Sequence, residues 1–155
     1  MRMLLFGASG QLGWELQRAL APLGPVTALD RAACDVGDAE ALRQALRAQA
    51  ADVIVNASAL TAVDRAETER ELAFRINAQA PQLMAEEAAR CGAWLVHYST
   101  DYVFDGGGER PWTEDDTPAP INAYGESKLA GEQVIQRLMQ PAGGRYLILR
   151  PGWVY

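Results

Sequence analysis

The chain predicts an α/β fold, a doubly wound parallel sheet, on three observations. Short apolar runs of strand length alternate with longer stretches whose apolar residues recur at helical spacing, over all 155 residues. Such alternation implies right-handed βαβ units. A glycine-rich turn separates the first strand from the first helix, and the other motifs also fall where strands end, the edge at which such sheets bind ligands.

The elements follow in order. Residues 2–6, RMLLF, form an apolar run ended by Gly7, and a helix is expected over 11–20 with Leu12, Leu16 and Leu20 on one face. Val26 to Leu29 is the second strand, ended by Asp30, and a helix runs from about Asp38 to Gln49. The third strand is DVIVNAS at 52–58. A long helical stretch spans about 64–90, interrupted near Asn77 and Pro81, and AWLVHYS at 93–99 is a fourth, buried strand. Residues 105–122, rich in Gly, Pro and acids and without period, read as an ordered surface loop near a site or a mobile lid. A helix over 123–139 and the strand RYLILR at 145–150 follow. With no repeat and no linker, residues 1–155 read as one dinucleotide-binding domain.

Composition narrows the partners. A net charge of -6 with no cluster of basic residues argues against a nucleic-acid polymer or an anionic membrane, because a surface that binds phosphate backbones must be basic. A small-molecule partner is expected. No apolar run reaches the roughly 18 residues of a membrane span, and MRMLLFGASG enters its glycine motif too early for a signal peptide, so the expected location is cytoplasmic. Cys34 and Cys91 are too few for a disulfide framework and read as packing residues; with His97 the only histidine, a metal cluster built on imidazoles is excluded.

Gly7-Ala-Ser-Gly10-Gln-Leu-Gly13 carries the clearest chemistry. The first glycine permits the tight turn, the second lets the backbone approach a pyrophosphate at the helix N-terminus, and the third lets helix and strand pack closely. This is the pattern of a Rossmann-type NAD(P)-binding turn. Asp30 at the end of the second strand can accept hydrogen bonds from ribose hydroxyls, which favours NADH, while Arg31 can pair with the 2′-phosphate of NADPH. The choice of cofactor stays open, as does a plain turn-capping role for Asp30. Asp35-Val36 offers a carboxylate and an apolar contact to an adenine, or only a solvated acid before a helix. Asn56-Ala-Ser-Ala59-Leu60-Thr61 supplies the small residues that a backbone needs near a cofactor, though tight packing needs them too.

Pro81 cannot donate to the carbonyl of Asn77, so that oxygen is free to hold a water on a relay to Lys128, or Pro81 simply opens a new helix. Ser99 and Thr100, at the end of the fourth strand, present hydroxyls that could bond a substrate carbonyl; His97 reads as a satisfied strand histidine. Tyr124 and Lys128 stand four apart at the start of a helix, hence on one face, where an ammonium would lower the pKa of the phenol.

Taken together, the N-terminal GxxGxxG, STDYVF after a later strand and YGESK opening the next helix resemble the extended short-chain dehydrogenase/reductase family. FGASGQLGWELQ, DVIVNASALTAVDRAE, HYSTDYVFDG, AYGESKLAGE and the final WVY are similar to its branch that reduces dTDP-linked 4-keto sugars, along the whole chain. The resemblance implies a catalytic triad. Thr100 would orient the sugar C4 carbonyl, Tyr124 would protonate its oxygen, and Lys128 would hold the cofactor ribose and lower the Tyr124 pKa. It further implies NADPH or NADH contacts at Gly10, Gln11, Leu12, Asp30, Asp35, Val36, Ala59, Leu60, Thr61, Tyr124 and Lys128, and a sugar-nucleotide contact at Trp153. Glu15 matches a position that helps bind Mg2+ across a homodimer in some members, with partner ligands beyond residue 155.

Two departures matter. RPGWVY stands where the family more often has Arg-Thr-Ser before Trp-Val-Tyr, which puts Pro151 and Gly152 on the substrate side. Family members also continue into a second, substrate-binding domain, so the chain is expected to bind NAD(P)H and turn over poorly by itself. Related dehydratases carry a glutamate where this chain has Tyr102, which favours simple carbonyl reduction; a noncatalytic dinucleotide-binding module is the alternative of another class.

Overall fold

The computed structural model describes residues 1–108 and 110–154. Five parallel strands form one sheet: β1 (Met3–Phe6), β2 (Val26–Leu29), β3 (Val53–Asn56), β4 (Trp94–Tyr98) and β5 (Arg145–Leu149), in the order β2-β1-β3-β4-β5. The helices are α1 (Gln11–Leu20), α2 (Ala39–Gln49), α3 (Val63–Thr68), α4 (Arg70–Phe74), α5 (Ala80–Cys91) and α6 (Ala123–Met139). Short 3-10 turns occupy Ala21–Leu23 and Asp101–Val103, and a π-helical turn occupies Arg75–Gln79.

β1 is buried along its whole length because it lies between β2 and β3 with helices over the sheet, and MLLF suits that position. Register aligns Phe6 with both Leu29 and Asn56, Asn56 with His97, and Tyr98 with Leu149, so all five strands finish along one edge. The chain leaves β1 for β2 on one side and returns to β3 on the other. The β1–β3 gap is therefore the switch point where such sheets open a ligand crevice.

Capping residues set the helices. Asp38 accepts from the amides of Glu40 and Ala41 to start α2, Asn122 accepts from Gly125 at 2.8 Å to start α6, and Gly92, with φ 71°, ends α5. The main core lies between the sheet and α2, α5 and α6, around Leu4, Phe6, Leu42, Ile54, Met84, Leu95, Ile135 and Met139. Each such side chain contributes about 1.5–3 kcal/mol on removal from water. A second cluster, Leu60, Ala66, Ala73, Ala123 and Tyr124, seats the start of α6 against α3 and α4.

The helical stretch expected over 64–90 is interrupted near Asn77 as expected, by the π turn, and it breaks a second time at Glu69, between α3 and α4. Asn77 sits inside the π turn, and Pro81 enters the first turn of α5, where a missing N–H costs nothing. The carbonyl that Pro81 frees is packed against Gly131 of α6: a methyl group there would stand 2.3 Å from it. The space anticipated for a water on that carbonyl is thus filled on the Gly131 side. The third strand ends at Asn56 because Ala57 begins the loop toward α3. Cys34 is buried as expected, but Cys91 is exposed at the end of α5, its thiol donating to the Ala88 carbonyl at 3.8 Å. The loop over 105–122 is pinned from within by the Arg110–Asp116 ion pair and by Trp112 stacked on Phe104 at 4.5 Å. Among the described residues no helix is long and apolar enough to cross a membrane.

Candidate active site

The glycine turn is built as its spacing demands. Gly7 holds φ 85° while its amide and that of Ala8 donate to the Leu29 carbonyl, and a side chain on Gly13 would stand 2.0 Å from the Gly7 carbonyl. α1 then starts at Gly10, which offers no side-chain cap, and no acid lies in the first turn. Its leading amides therefore keep the free donors and positive dipole end that bind anions.

Across the crevice β4 and α6 supply the reactive side chains. The Thr100 hydroxyl accepts from the Tyr102 amide at 3.2 Å, which fixes it at the head of the 3-10 turn. Tyr124, 8% exposed, meets the ring of Tyr102 edge-on at 5.6 Å. Burial pushes its phenol above the ordinary value, and a hydrogen bond with the Thr100 hydroxyl pulls part of the way back. Lys128 is almost wholly buried and donates from Nζ to the Tyr98 carbonyl at 2.6 Å. Burial lowers it to about 8, against the pull of the Glu132 carboxylate toward the charged form.

These facts correct the expected Tyr124–Lys128 coupling. The two residues share the face, but the ammonium is held by the Tyr98 carbonyl, and the phenol rises by desolvation rather than falling. His97 differs as well: Nδ1 meets the Asn56 amide nitrogen at 3.0 Å, yet among the described residues Nε2 has no partner, nor has the buried Ser99 hydroxyl. Burial first, and Lys128 second, hold the imidazole neutral.

Reading the residues did not anticipate the side chain of Asn77. Its amide group accepts from the Leu60 N–H at 2.9 Å and donates to the Leu60 carbonyl and to Ser127 Oγ, each at 3.0 Å; Ser127 Oγ in turn donates to the Tyr124 carbonyl. The loop after β3 and the start of α6 are thereby clamped together. An asparagine in mid-helix, where it is a poor helix former, was the one signal available.

One cavity of about 400 Å³ gathers Gly10, Gln11, Leu12, Ala59, Thr61, Thr100, Tyr124, Lys128 and Trp153, with Pro151 and Gly152 beside them. Gly7 and Gly13 stand behind it, in the turn. Leu60 points instead into the second core cluster, and Val36 packs against the main core. Asp30 caps its turn by accepting from the Ala33 amide at 2.9 Å, while Arg31 pairs with Asp35 at 3.4 Å on the surface and Asp35 also accepts from Gly37. Asp30, Arg31, Asp35 and Val36 lie outside the cavity, along the rim beyond β2. Glu15 is taken up by Arg18 on the outer face of α1, and no group of three His, Cys, Asp or Glu side chains suited to a metal occurs among the described residues.

A glycine turn feeding an uncapped helix at one lip of the switch point, and a Thr, Tyr and Lys at the other, define a Rossmann-type fold of the short-chain dehydrogenase/reductase class. Within that class the chain belongs to the family described as RmlD substrate binding domain, which matches residues 1–155. It is 51% identical over 159 residues to the dTDP-4-dehydrorhamnose reductase of Escherichia coli strain K12, an alignment that covers all of this chain and 52% of that protein. The crystal structure of dTDP-4-dehydrorhamnose reductase from Bacillus anthracis strain Ames, in complex with NADP, superposes with a TM-score of 0.92 at 39% identity, covering 99% of this chain and 54% of that one. The UDP-glucose 4-epimerase of Thermus thermophilus, complexed with NAD, gives 0.86 at 26% identity over 97% of this chain and 54% of its own. The chain spans about half the length of the curated relatives it matches.

Proposed function

We propose that the chain is the cofactor-binding portion of an NAD(P)H-dependent sugar-nucleotide reductase that converts the C4 carbonyl of dTDP-6-deoxy-L-lyxo-4-hexulose to the alcohol of dTDP-L-rhamnose. The observation that carries this is the meeting of Thr100, Tyr124 and Lys128 with the N-terminus of α1 in one cavity. The residues present fit a dinucleotide: a glycine turn with no room for a side chain at Gly7 or Gly13, leading amides without a cap, and small residues at Ala59 and Thr61. Gly10, Gln11 and Leu12 would hold the pyrophosphate, Asp30 or Arg31 the adenosine ribose end, and Tyr124 and Lys128 the nicotinamide ribose. When bound, the cofactor supplies the two electrons of the reduction.

The chain's own groups do the rest. Thr100 donates a hydrogen bond to the carbonyl oxygen, which accumulates negative charge as the carbon is reduced. Tyr124, kept a neutral phenol by its burial, gives its proton to that oxygen. Lys128, charged on the acid side of about 8 and held on the Tyr98 carbonyl, offers a cation to the cofactor ribose. Trp153 and the backbone of Pro151 and Gly152 close the side where the sugar enters.

The test follows nicotinamide oxidation by absorbance after the keto sugar is added to protein shown by fluorescence to bind NADPH or NADH. Binding followed by oxidation supports reduction within these residues; binding alone assigns the chain the cofactor half and moves the assay to a protein of the relatives' length. There Tyr124→Phe is expected to lower turnover by about 100-fold or more while sparing cofactor affinity. Unchanged turnover sinks the assignment.

A further inference from the structure

Glu132 lies one helical turn beyond Lys128 on α6 and is 1% exposed, an unusual place for a carboxylate. Arg150, just past β5, holds it with a two-pronged contact: Nε at 2.9 Å to one carboxylate oxygen and Nη2 at 2.6 Å to the other. The far face of the same guanidinium covers the ring of Phe104 at 5.1 Å, and that ring stacks on Trp112. Arg150 is also the residue from which Pro151, Gly152 and Trp153 depart into the cavity wall. The Pro151 carbonyl accepts from the Asp101 amide at 3.2 Å, next to Thr100.

We propose that Glu132 is a positioning residue of the site: gripped by Arg150, it keeps a fixed negative charge one turn behind Lys128 and fastens the wall 151–154 to the helix that carries Tyr124 and Lys128. Packing alone would be met by an apolar pair at these positions, which as a rule costs no more than a buried ion pair and often less. The charge has an addressee. Around the Lys128 ammonium stand the Tyr98 carbonyl and the neutral His97 from β4, and Glu132 from α6 itself. Asp101 and Tyr102 of the following turn act on the Tyr124 phenol, Asn77 of the π turn is uncharged, and Glu87 of α5 is taken by Arg47 and Arg90. Glu132 is thus the one carboxylate that acts on Lys128 among the described residues.

The inference rests on the reading of Lys128 as a functional lysine, but its test needs no cofactor and no turnover. Lys128 is the chain's single lysine, so protein labelled with 13C- and 15N-lysine gives one side-chain signal, and its titration can be followed by NMR in the chain as it stands. Glu132→Gln is expected to move the Lys128 midpoint down by about 1 pH unit or more. Arg150→Gln is expected to move it up, because Glu132 then has Lys128 as its only cation. Arg150→Lys keeps the charge without the planar fork and should restore the midpoint while leaving the Asp101 amide faster to exchange. An unmoved midpoint in folded Glu132→Gln overturns the proposal. Should that variant not fold, Glu132→Asp, which withdraws the charge by one methylene, must show a smaller shift of the same sign, and its absence is equally fatal. A shifted midpoint with no reductase activity in any preparation would sink the reductase reading and leave the Glu132–Lys128 coupling in place.

Discussion

On the β1–α1 side of the cavity the protein offers backbone, and on the β4–α6 side it offers buried side chains. Around Gly7, Gly10 and Gly13 almost nothing projects; the turn works because atoms are missing, and its binding groups are amides that every helix start provides. Around Lys128 the chain buries a lysine, a histidine, two asparagines and a glutamate, each held by specific partners. The first side fails by crowding, the second by the loss of a partner or a charge. Removing a charge from the second can therefore raise stability, whereas a side chain added to the first at Gly7 or Gly13 runs into backbone.

The largest effect should come from the backbone side. Gly13→Ala places a methyl group 2.0 Å from the Gly7 carbonyl, so turn and helix must part. Overpacking of backbone against backbone is expected to cost about 3 kcal/mol or more, read as a lower midpoint in urea, with cofactor-dependent fluorescence lost. A variant that binds NADPH normally would show that the turn has slack the structure denies it.

Lys128→Met should act in the opposite direction. Folded Lys128 titrates at about 8 against 10.5 for the free side chain, so between those values the unfolded chain holds the proton that the folded one gives up. The burial cost is fully present below pH 8 and fades as pH rises toward 10.5. That difference amounts to roughly 3 kcal/mol. Loss of the bond to the Tyr98 carbonyl returns about 1 kcal/mol of it. Lys128→Met is thus expected to be more stable at pH 7 by about 2 kcal/mol, with the gain shrinking as the solution is made alkaline and turnover lost throughout. A destabilised methionine variant at pH 7 would mean that the lysine is held by more than the structure shows.

The smallest effect belongs to the rim. Arg31 and Asp35 form an exposed 3.4 Å pair, so Arg31→Ala should change stability by less than about 0.5 kcal/mol. It is expected to weaken NADPH several-fold and leave NADH alone; equal loss of both would remove Arg31 as the reader of the 2′-phosphate.

The two sides also differed in how far they could be read in the residues. Strand and helix limits fell within a few positions, because apolar runs, the caps Asp38 and Asn122 and the stop at Gly92 are local signals. GxxGxxG and the four-residue spacing of Tyr124 and Lys128 were legible for the same reason, while the grouping of Thr100 with them followed from the family resemblance. Glu132, His97 and the Asn77 side chain were not, since a charge in a helical pattern reads as a solvent face until its partner is known, and the partner of Glu132 lies just past the far end of β5. The orientation of Lys128 escaped too: spacing fixes which face a side chain occupies, while the Tyr98 carbonyl that captures it comes from another element.

The cavity takes one wall from Gly10 and the opposite one from Trp153. The glycine turn comes before β3, β4, α6 and the segment after β5 in the chain, so its opposite wall exists only once those have been made and paired. Parallel pairing between distant segments is slow to form, so the nascent chain passes through a period with its anion-binding turn in place and no pocket around it. A ligand that spans both walls thus has no complete site until the segment after β5 has taken its place.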